Sequence, residues 1–127
     1  MGKIWINAGG VSMLAELNDS GTANKIWRVL PIETNVNTWG DEIFFEIPVV
    51  SEEEPEARSE VDVGELGYWP VGNAFCIFFG PTPVSTDERP RAASPVNIVG
   101  NLQGDATEFR NVRNGAKVSI ARVNQQR

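Results

Sequence analysis

Residues 72–83 read GNAFCIFFGPTP, and residues 74–79 within them are the longest uninterrupted apolar run of the chain. Glycine, asparagine and proline bound this run on both sides, which is typical of a short strand between turns. Strand alternation divides the run into two faces: Phe75, Ile77 and Phe79 on one, and Ala74, Cys76 and Phe78 on the other. We expect one face to fill a core and the other to face outward, and the strand is also a candidate wall of a binding site.

The length of 127 residues predicts a single domain over residues 1–127, since domains most often have roughly 100 to 150 residues. The composition, 41% hydrophobic with four Trp and six Phe, is that of a folded globular protein. No apolar run approaches the roughly 20 residues that cross a bilayer, and the amino terminus has no signal-peptide pattern. We therefore expect a cytoplasmic protein without a membrane partner.

The absence of histidine limits the chemistry that this chain can perform. It excludes Ser-His-Asp and Cys-His sites and metals held by histidine. The single cysteine, Cys76, cannot form an internal disulfide, and its apolar surroundings favour an inert buried thiol over a nucleophile. We expect no metal and no cofactor.

The net charge of −6 is unevenly distributed along the chain. Residues 41–65, the acidic segment, hold ten acidic residues and only Arg58 as a base, a charge of −9, whereas the remainder carries +3. This distribution argues against nucleic acid as a partner. Residues 49–67 are predicted to be mainly an exposed loop, and the alternative is that Glu52 to Glu60 close a metal site.

The amino-terminal pattern predicts a hairpin followed by a helix. KIWIN (3–7) and VSMLAEL (11–17) both alternate, and the glycines between them mark the turn. Asp19 or Ser20 is a suitable cap for a helix of roughly ten residues that ends at Pro31.

The rest of the chain predicts several strands and one more short helix. Residues 36–48 form two strand pieces broken at Gly40-Asp41, and residues 66–80 form a strand pair with its turn at 70–73. A proline-rich connection leads to a strand at 96–104, a short helix capped by Asp105 and a last strand at 116–123. This order predicts a mainly β protein, an antiparallel barrel or sandwich with helices at its ends.

Several stretches resemble cyclophilins, which are peptidyl-prolyl isomerases: the opening hairpin, SGTANKIWRVL (20–30), GNAFCIFFGPT (72–82) and NIVGNLQGDATEF (97–109). FEIP (45–48), YWPVGNAFCIFFGPTPVS (68–85) and ASPVNIVG (93–100) resemble, more specifically, a family of small bacterial and archaeal cyclophilin-like proteins of unknown function. The resemblance covers residues 3–123. It implies a closed antiparallel β-barrel of about eight strands with two helices capping its ends, and no established reaction.

The resemblance also directs attention to a cleft on the barrel. The residues predicted to bind there are Phe44, Glu46, Trp69, Asn73, Phe75, Phe79, Pro81 and Thr82. A cyclophilin-type site needs an apolar pocket for the proline ring and an arginine that donates to the prolyl carbonyl. Glu46 stands about where that arginine is expected, and a carboxylate cannot donate in its place. Isomerase activity is therefore not expected, and catalytic residues stay unassigned.

Three arginines, Arg58, Arg89 and Arg91, lie on predicted loops. They are able to supply a hydrogen-bond donor to the cleft from outside the strand, and the alternative is that they are solvated or pair with the acidic segment.

Glu42 and Glu46 lie four residues apart on a predicted strand. They point to the same side at roughly 13 Å from each other, too far apart to act as a pair on one bond. Either one, beside an aromatic pocket, would have a raised pKa and serve as an acid or base. The alternative is a glutamate hydrogen-bonded to the backbone at the end of the strand.

Three functions stay open from the sequence. The leading one is a noncatalytic binding module for a peptide or small-molecule ligand. The second is an enzyme, either a divergent isomerase or an accessory domain in amide chemistry of the amidohydrolase type. The third is an assembly or scaffold role through an exposed strand edge or an apolar patch, and we expect a monomer or weak homo-oligomer.

Overall fold

The structure is a computed structural model that describes residues 2–125, with side chains described for residues 2–124. Met1, Gln126 and Arg127 of the predicted domain lie outside the described residues. The strands are β1 (Gly2–Ala8), β2 (Val11–Leu17), β3 (Ile32–Asn35), β4 (Asn37–Thr38), β5 (Glu42–Glu46), β6 (Arg58–Glu60), β7 (Glu65–Trp69), β8 (Ala74–Phe78), β9 (Arg91–Leu102) and β10 (Lys117–Arg122). The helices are α1 (Gly21–Val29) and two 3₁₀ helices at Ala106–Asn111 and Val123–Gln125.

The described strands form one antiparallel sheet of ten strands in the order β3-β10-β1-β2-β9-β7-β8-β5-β4, with β6 paired to β9. A mainly β, antiparallel architecture was predicted and is confirmed. The predicted closed barrel of about eight strands is not, because no hydrogen-bonded ladder joins the end strands β3 and β4 within residues 2–125.

The opening in the sheet lies at Val36, the residue that separates β3 from β4. The Val36 N–H donates to the carbonyl of Ala116 at 2.8 Å, and its carbonyl accepts from the Gly115 N–H at 2.9 Å. These bonds hold Val36 against the turn before β10, while β4 on its other side pairs with β5. The chain itself, rather than a ladder, therefore connects the two ends of the sheet.

The predicted hairpin and helix are both present. β1 pairs with β2 around Gly9 and Gly10, whose positive φ angles of 53° and 93° suit a tight hairpin turn. Ser20 is the cap of α1, and its side chain accepts from the Ala23 N–H at 3.2 Å. The predicted short helix is the 3₁₀ helix at Ala106–Asn111, which Asp105 caps through the Thr107 N–H.

β8 is buried on both of its faces. Phe75, Ile77 and Phe79 belong to the main core inside the sheet, as the alternation predicts for one face. The other face was expected to point outward, and it is instead covered. A second cluster, the outer core, lies there and contains Val61, Cys76, Phe78, Ala92 and Val96.

The cover over β8 comes from a longer β9 than the sequence predicts. β9 begins at Arg91 rather than near Val96 and includes Pro95. Its first half, residues 91–96, pairs with β6 through an irregular register, a place where a strand tolerates proline. β6 and the fully buried Val61 lie in the predicted exposed loop, so this loop is pinned rather than solvated throughout.

None of the helices in the part of the chain that the structure describes has the length and apolar character needed to span a membrane.

Gly100 provides a test of the sheet register. It pairs with Leu17 on β2, and a Cβ at this position would overlap the carbonyl of Glu16. We expect Gly100→Ala to lower the free energy of unfolding by about 1 to 3 kcal/mol, the usual range for overpacking, in urea denaturation.

The control is Gly21→Ala in the exposed first turn of α1, where the nearest atom to a new Cβ is 3.9 Å away. Its stability should be unchanged or slightly higher, because alanine favours helix. A Gly100→Ala variant as stable as this control would contradict the β2–β9 register.

Candidate functional site

A pocket of about 260 Å³ opens on the outside of the sheet, between β5 and the first half of β9. Its lining residues come from four separate parts of the chain: Trp39, Glu42, Phe44, Trp69, Ala92, Ala93 and Val96. The walls are therefore almost entirely apolar, and Glu42 is the single ionisable side chain among them.

The pairing of β5 with β8 explains why Glu42 and Phe44 point into this pocket. Glu42 pairs with Phe78, and Phe44 pairs with Cys76. Directly paired residues share a face of the sheet, and Cys76 and Phe78 belong to the outer core. Glu42 and Phe44 consequently share that outer face.

Trp69 is held firmly at one side of the pocket. Its indole N–H donates to Oγ of Ser94 at 2.6 Å, which ties the end of β7 to β9. Its ring meets Phe44 edge to face, with ring centres 6.5 Å apart and planes at 78°. Gly72 lies under the ring, and a Cβ there would come within 2.8 Å of it. The aromatic wall is thus fixed before any ligand arrives.

Small side chains on β9 leave the space that the pocket occupies. Ala92 is buried against the outer core, whereas Ala93 is exposed at the rim. Thr82 holds this part of β9 in place, since its hydroxyl donates to the carbonyl of Arg91. Larger side chains at residues 92 and 93 would fill the pocket.

Glu42 is the unusual residue of the site. Its side chain lies in the pocket wall with only 5% of the residue exposed, and among the described residues its Oε1 has no hydrogen-bond partner. Burial raises the pKa of Glu42 to about 7, and a hydrogen bond from the Cys76 thiol partly opposes this rise. Glu42 therefore changes its charge near neutral pH.

The Cys76 thiol lies next to Glu42 and is fully enclosed. Burial and the neighbouring Glu42 charge raise its pKa well above the ordinary value. Its Sγ also lies 3.9 Å from the carbonyl oxygen of Ala74. A thiol that stays protonated at neutral pH is a poor nucleophile, which agrees with the prediction of an inert cysteine.

Two of the residues predicted to bind, Phe44 and Trp69, meet in this pocket. Glu46 lies further along the same face of β5, exposed, and is not among the lining residues. Phe75 and Phe79 lie in the main core, where Phe75 stacks on Phe45 at 5.5 Å and Phe79 contacts Phe109 at 6.3 Å. A binding role for these three residues stays a prediction.

Asn73, Pro81 and Thr82 lie in the segments that flank β8. Asn73 has a φ of 51° in the turn before the strand, and its Oδ1 accepts from the Tyr68 hydroxyl at 3.1 Å. Pro81 is exposed, and its carbonyl accepts from the Asp41 N–H at 2.9 Å. These contacts fix the ends of β5 and β8. Direct contact of Asn73, Pro81 or Thr82 with a ligand stays a prediction.

The sequence prediction did not assign five lining residues to the site: Trp39, Glu42, Ala92, Ala93 and Val96. Glu42 carried a signal, since it alternates with Phe44 on one strand. Trp39 lies in the turn before β5, where its N–H donates to the Glu42 carbonyl at 2.9 Å. No sequence pattern pointed to the two alanines, because the proline-rich stretch around them predicts a connection rather than a strand.

The acidic segment is held by ion pairs. Arg58 binds Glu65 at 2.7 Å, and Arg89 and Arg91 both reach Glu60, at 3.7 and 3.3 Å. Within residues 2–125, no three cysteine, aspartate or glutamate side chains come together as a group able to hold a metal ion. Among the acids of this segment, Glu60 thus ties β6 to the start of β9.

Glu42→Gln tests the buried carboxyl by its effect on stability. Because the pKa is about 7 in the folded protein and about 4.5 when unfolded, the folded state holds its proton more tightly, and Glu42 destabilises the fold as pH rises through this range. The free energy of unfolding of the variant should equal that of the wild type near pH 4.5 and exceed it by on the order of 3 kcal/mol near pH 8.

Urea denaturation across this pH range measures the difference, with Glu53→Gln, an exposed acid of the same segment, as the control for losing one charge. A stability difference that stays constant with pH would show that Glu42 has an ordinary pKa.

Comparisons with known proteins agree with this architecture. The family described as Cyclophilin-like matches residues 2–121. The solution structure of a hypothetical protein from Archaeoglobus fulgidus is similar, with 33% sequence identity and a TM-score of 0.81, over 96% of this chain and 95% of that one. No curated protein sequence matches the chain. The chain therefore belongs to the cyclophilin-like family.

Proposed function

We propose that the protein is a noncatalytic binding module that takes an apolar group, from a small ligand or a peptide side chain, into the pocket between β5 and β9. The observation that carries this proposal is a preformed cavity with apolar walls and one convergent polar group, Glu42. Its volume of about 260 Å³ suits one ring or one branched side chain rather than an extended ligand.

The partial exposure of the aromatic walls supports a binding pocket rather than a packing defect. Phe44 and Trp69 are only partly buried, although both are large aromatic side chains next to a closed outer core. Removing such surfaces from water on ligand binding contributes roughly 25 cal/mol for each Å². Because Trp69 is already fixed by Ser94 and Gly72, little conformational entropy is lost when a ligand enters.

The distribution of arginines supports a noncatalytic role. Arg58, Arg89 and Arg91 lie on the segments beside the pocket, and each is paired with an acid of the acidic segment. A cyclophilin-type mechanism needs a guanidinium directed at the prolyl carbonyl, and these three are directed elsewhere. The lining residues themselves include no arginine.

Filling the pocket at its rim tests the proposal. Ala93→Leu adds a large side chain at an exposed lining position, so the fold should tolerate it while apolar probes lose about tenfold or more in affinity. The measurement is a titration with small apolar probes and proline-containing tetrapeptides, followed by amide shifts and tryptophan fluorescence, since Trp39 and Trp69 line the pocket.

Ala93→Ser is the matched control, because it keeps the size of the side chain and should bind as the wild type does. The proposal fails if no probe shifts the resonances of the lining residues, or if Ala93→Leu binds as tightly as Ala93→Ser.

An isomerase assay tests the catalytic alternative. We expect no acceleration of prolyl cis/trans exchange above buffer for a tetrapeptide series, since no arginine lines the pocket to donate to the prolyl carbonyl and lower the amide barrier of ~20 kcal/mol. A clear rate above buffer that Ala93→Leu abolishes would overturn the noncatalytic assignment.

A further inference from the structure

We propose that the ligand of this pocket is a protonated amine with an apolar substituent, whose N–H group binds the Glu42 carboxylate while the aromatic walls enclose the substituent. This inference rests on the proposed binding function and adds the chemical class of the ligand.

The geometry of Glu42 gives the first reason. The residue is 5% exposed, lines the pocket and leaves Oε1 without a hydrogen-bond partner among the described residues. An ionised carboxylate only accepts hydrogen bonds, and a buried acceptor without a donor is costly. A ligand that brings an N–H into the pocket removes this cost, and a cationic N–H does so most strongly.

The described part of the protein supplies no positive charge to this carboxylate. On the first half of β9, Arg91 is directed to Glu60 at 3.3 Å. Just before β5, Asp41 is paired with Arg110 at 3.4 Å. These pairs leave the positive partner of Glu42 to come from outside.

The remaining ionisable groups around Glu42 are few. On β8, the neighbour is the Cys76 thiol, which burial keeps protonated at neutral pH. On β7, Glu65 pairs with Arg58 at 2.7 Å, and on β5 itself Glu46 is exposed beyond the pocket. Because the pKa of Glu42 is about 7, the carboxylate that the amine requires is present mainly above neutral pH.

The aromatic walls of the pocket and the negative charge of the acidic segment also favour a cationic ligand. Trp39, Phe44 and Trp69 surround the space beside Glu42, and aromatic faces attract ammonium groups. The acidic segment, which contains β5, carries −9, and pairing with Arg89, Arg91 and Arg110 from outside it leaves −6, a net charge that favours cations over anions. A carboxylate ligand of equal size is disfavoured on both grounds.

Four probes that share one benzene ring separate these contributions: benzylamine, benzyl alcohol, benzoate and the bulkier benzyltrimethylammonium. Affinities are measured by amide shift titration at about pH 8 and again at about pH 5.5. At the higher pH we expect benzylamine to bind about tenfold or more tightly than benzyl alcohol, as a charge-assisted hydrogen bond predicts. Benzyltrimethylammonium, a cation without N–H, should fall between them, and benzoate should bind weakest.

At the lower pH the preference for benzylamine should shrink, because the amine must then displace the proton of Glu42. Glu42→Gln should bring benzylamine down to the affinity of benzyl alcohol at both pH values while leaving benzyl alcohol within about twofold, since the amide keeps the volume of the side chain. Glu53→Gln, which removes one exposed charge of the acidic segment, should retain most of the preference.

Equal affinities of amine and alcohol for the wild type, or a preference that persists in Glu42→Gln, would overturn the inference and leave the proposed binding function intact. Failure of all four probes to move the lining resonances would instead count against the binding function itself. A Glu42→Gln variant that is less stable near pH 8 than the wild type would also contradict an unpaired carboxylate.

Discussion

All five residues of β8 are buried, so apolar side chains must cover both of its faces. Phe75, Ile77 and Phe79 are part of the main core inside the sheet. Cys76 and Phe78 require a second cover on the outside. The chain provides it by extending β9 back to Arg91, where it pairs with β6 and places Val61 and Val96 over the strand.

The cover over β8 is complete above Phe78 and incomplete above β5, and this difference produces the pocket. The first half of β9 carries alanine at residues 92 and 93, so it approaches the sheet without filling the space beside Phe44 and Glu42. The ion pairs of Arg89 and Arg91 with Glu60 hold the same strands together at the surface. Exposed pairs of this kind each contribute little, so the burial of Ala92 and Val96 against the outer core contributes more to holding the first half of β9 in place.

Local chemistry made much of the fold predictable from the sequence. The hairpin around Gly9-Gly10, the Ser20 cap and the Asp105 cap each depend on a few adjacent residues, and all three are present. Alternation and turn residues also predicted the order of most elements, and the family resemblance added the expectation of a closed barrel. The ten-stranded sheet without hydrogen bonds between β3 and β4 was not foreseen, because it depends on which distant turn Val36 binds.

The candidate site was only partly predictable for the same reason. Alternation puts Glu42 and Glu46 on one face of β5, but only the path of β9 decides that Glu42 is buried and Glu46 exposed. The prediction favoured Glu46 because its position corresponds to a catalytic arginine in the resemblance. No local pattern marks Ala92 and Ala93, whose importance is the volume that they leave empty.

The presence of a carboxyl at residue 42 is informative because packing alone does not require it. An apolar side chain there would extend the outer core, whereas Glu42 places an unpartnered oxygen in an apolar wall. Its raised pKa means that the fold is weakened whenever the pH is high enough to ionise it. Local departures of this kind from the most stable arrangement are typical of functional sites. The same burial that makes Glu42 unfavourable for the free protein makes it selective, because a donor that reaches it meets little competition from water.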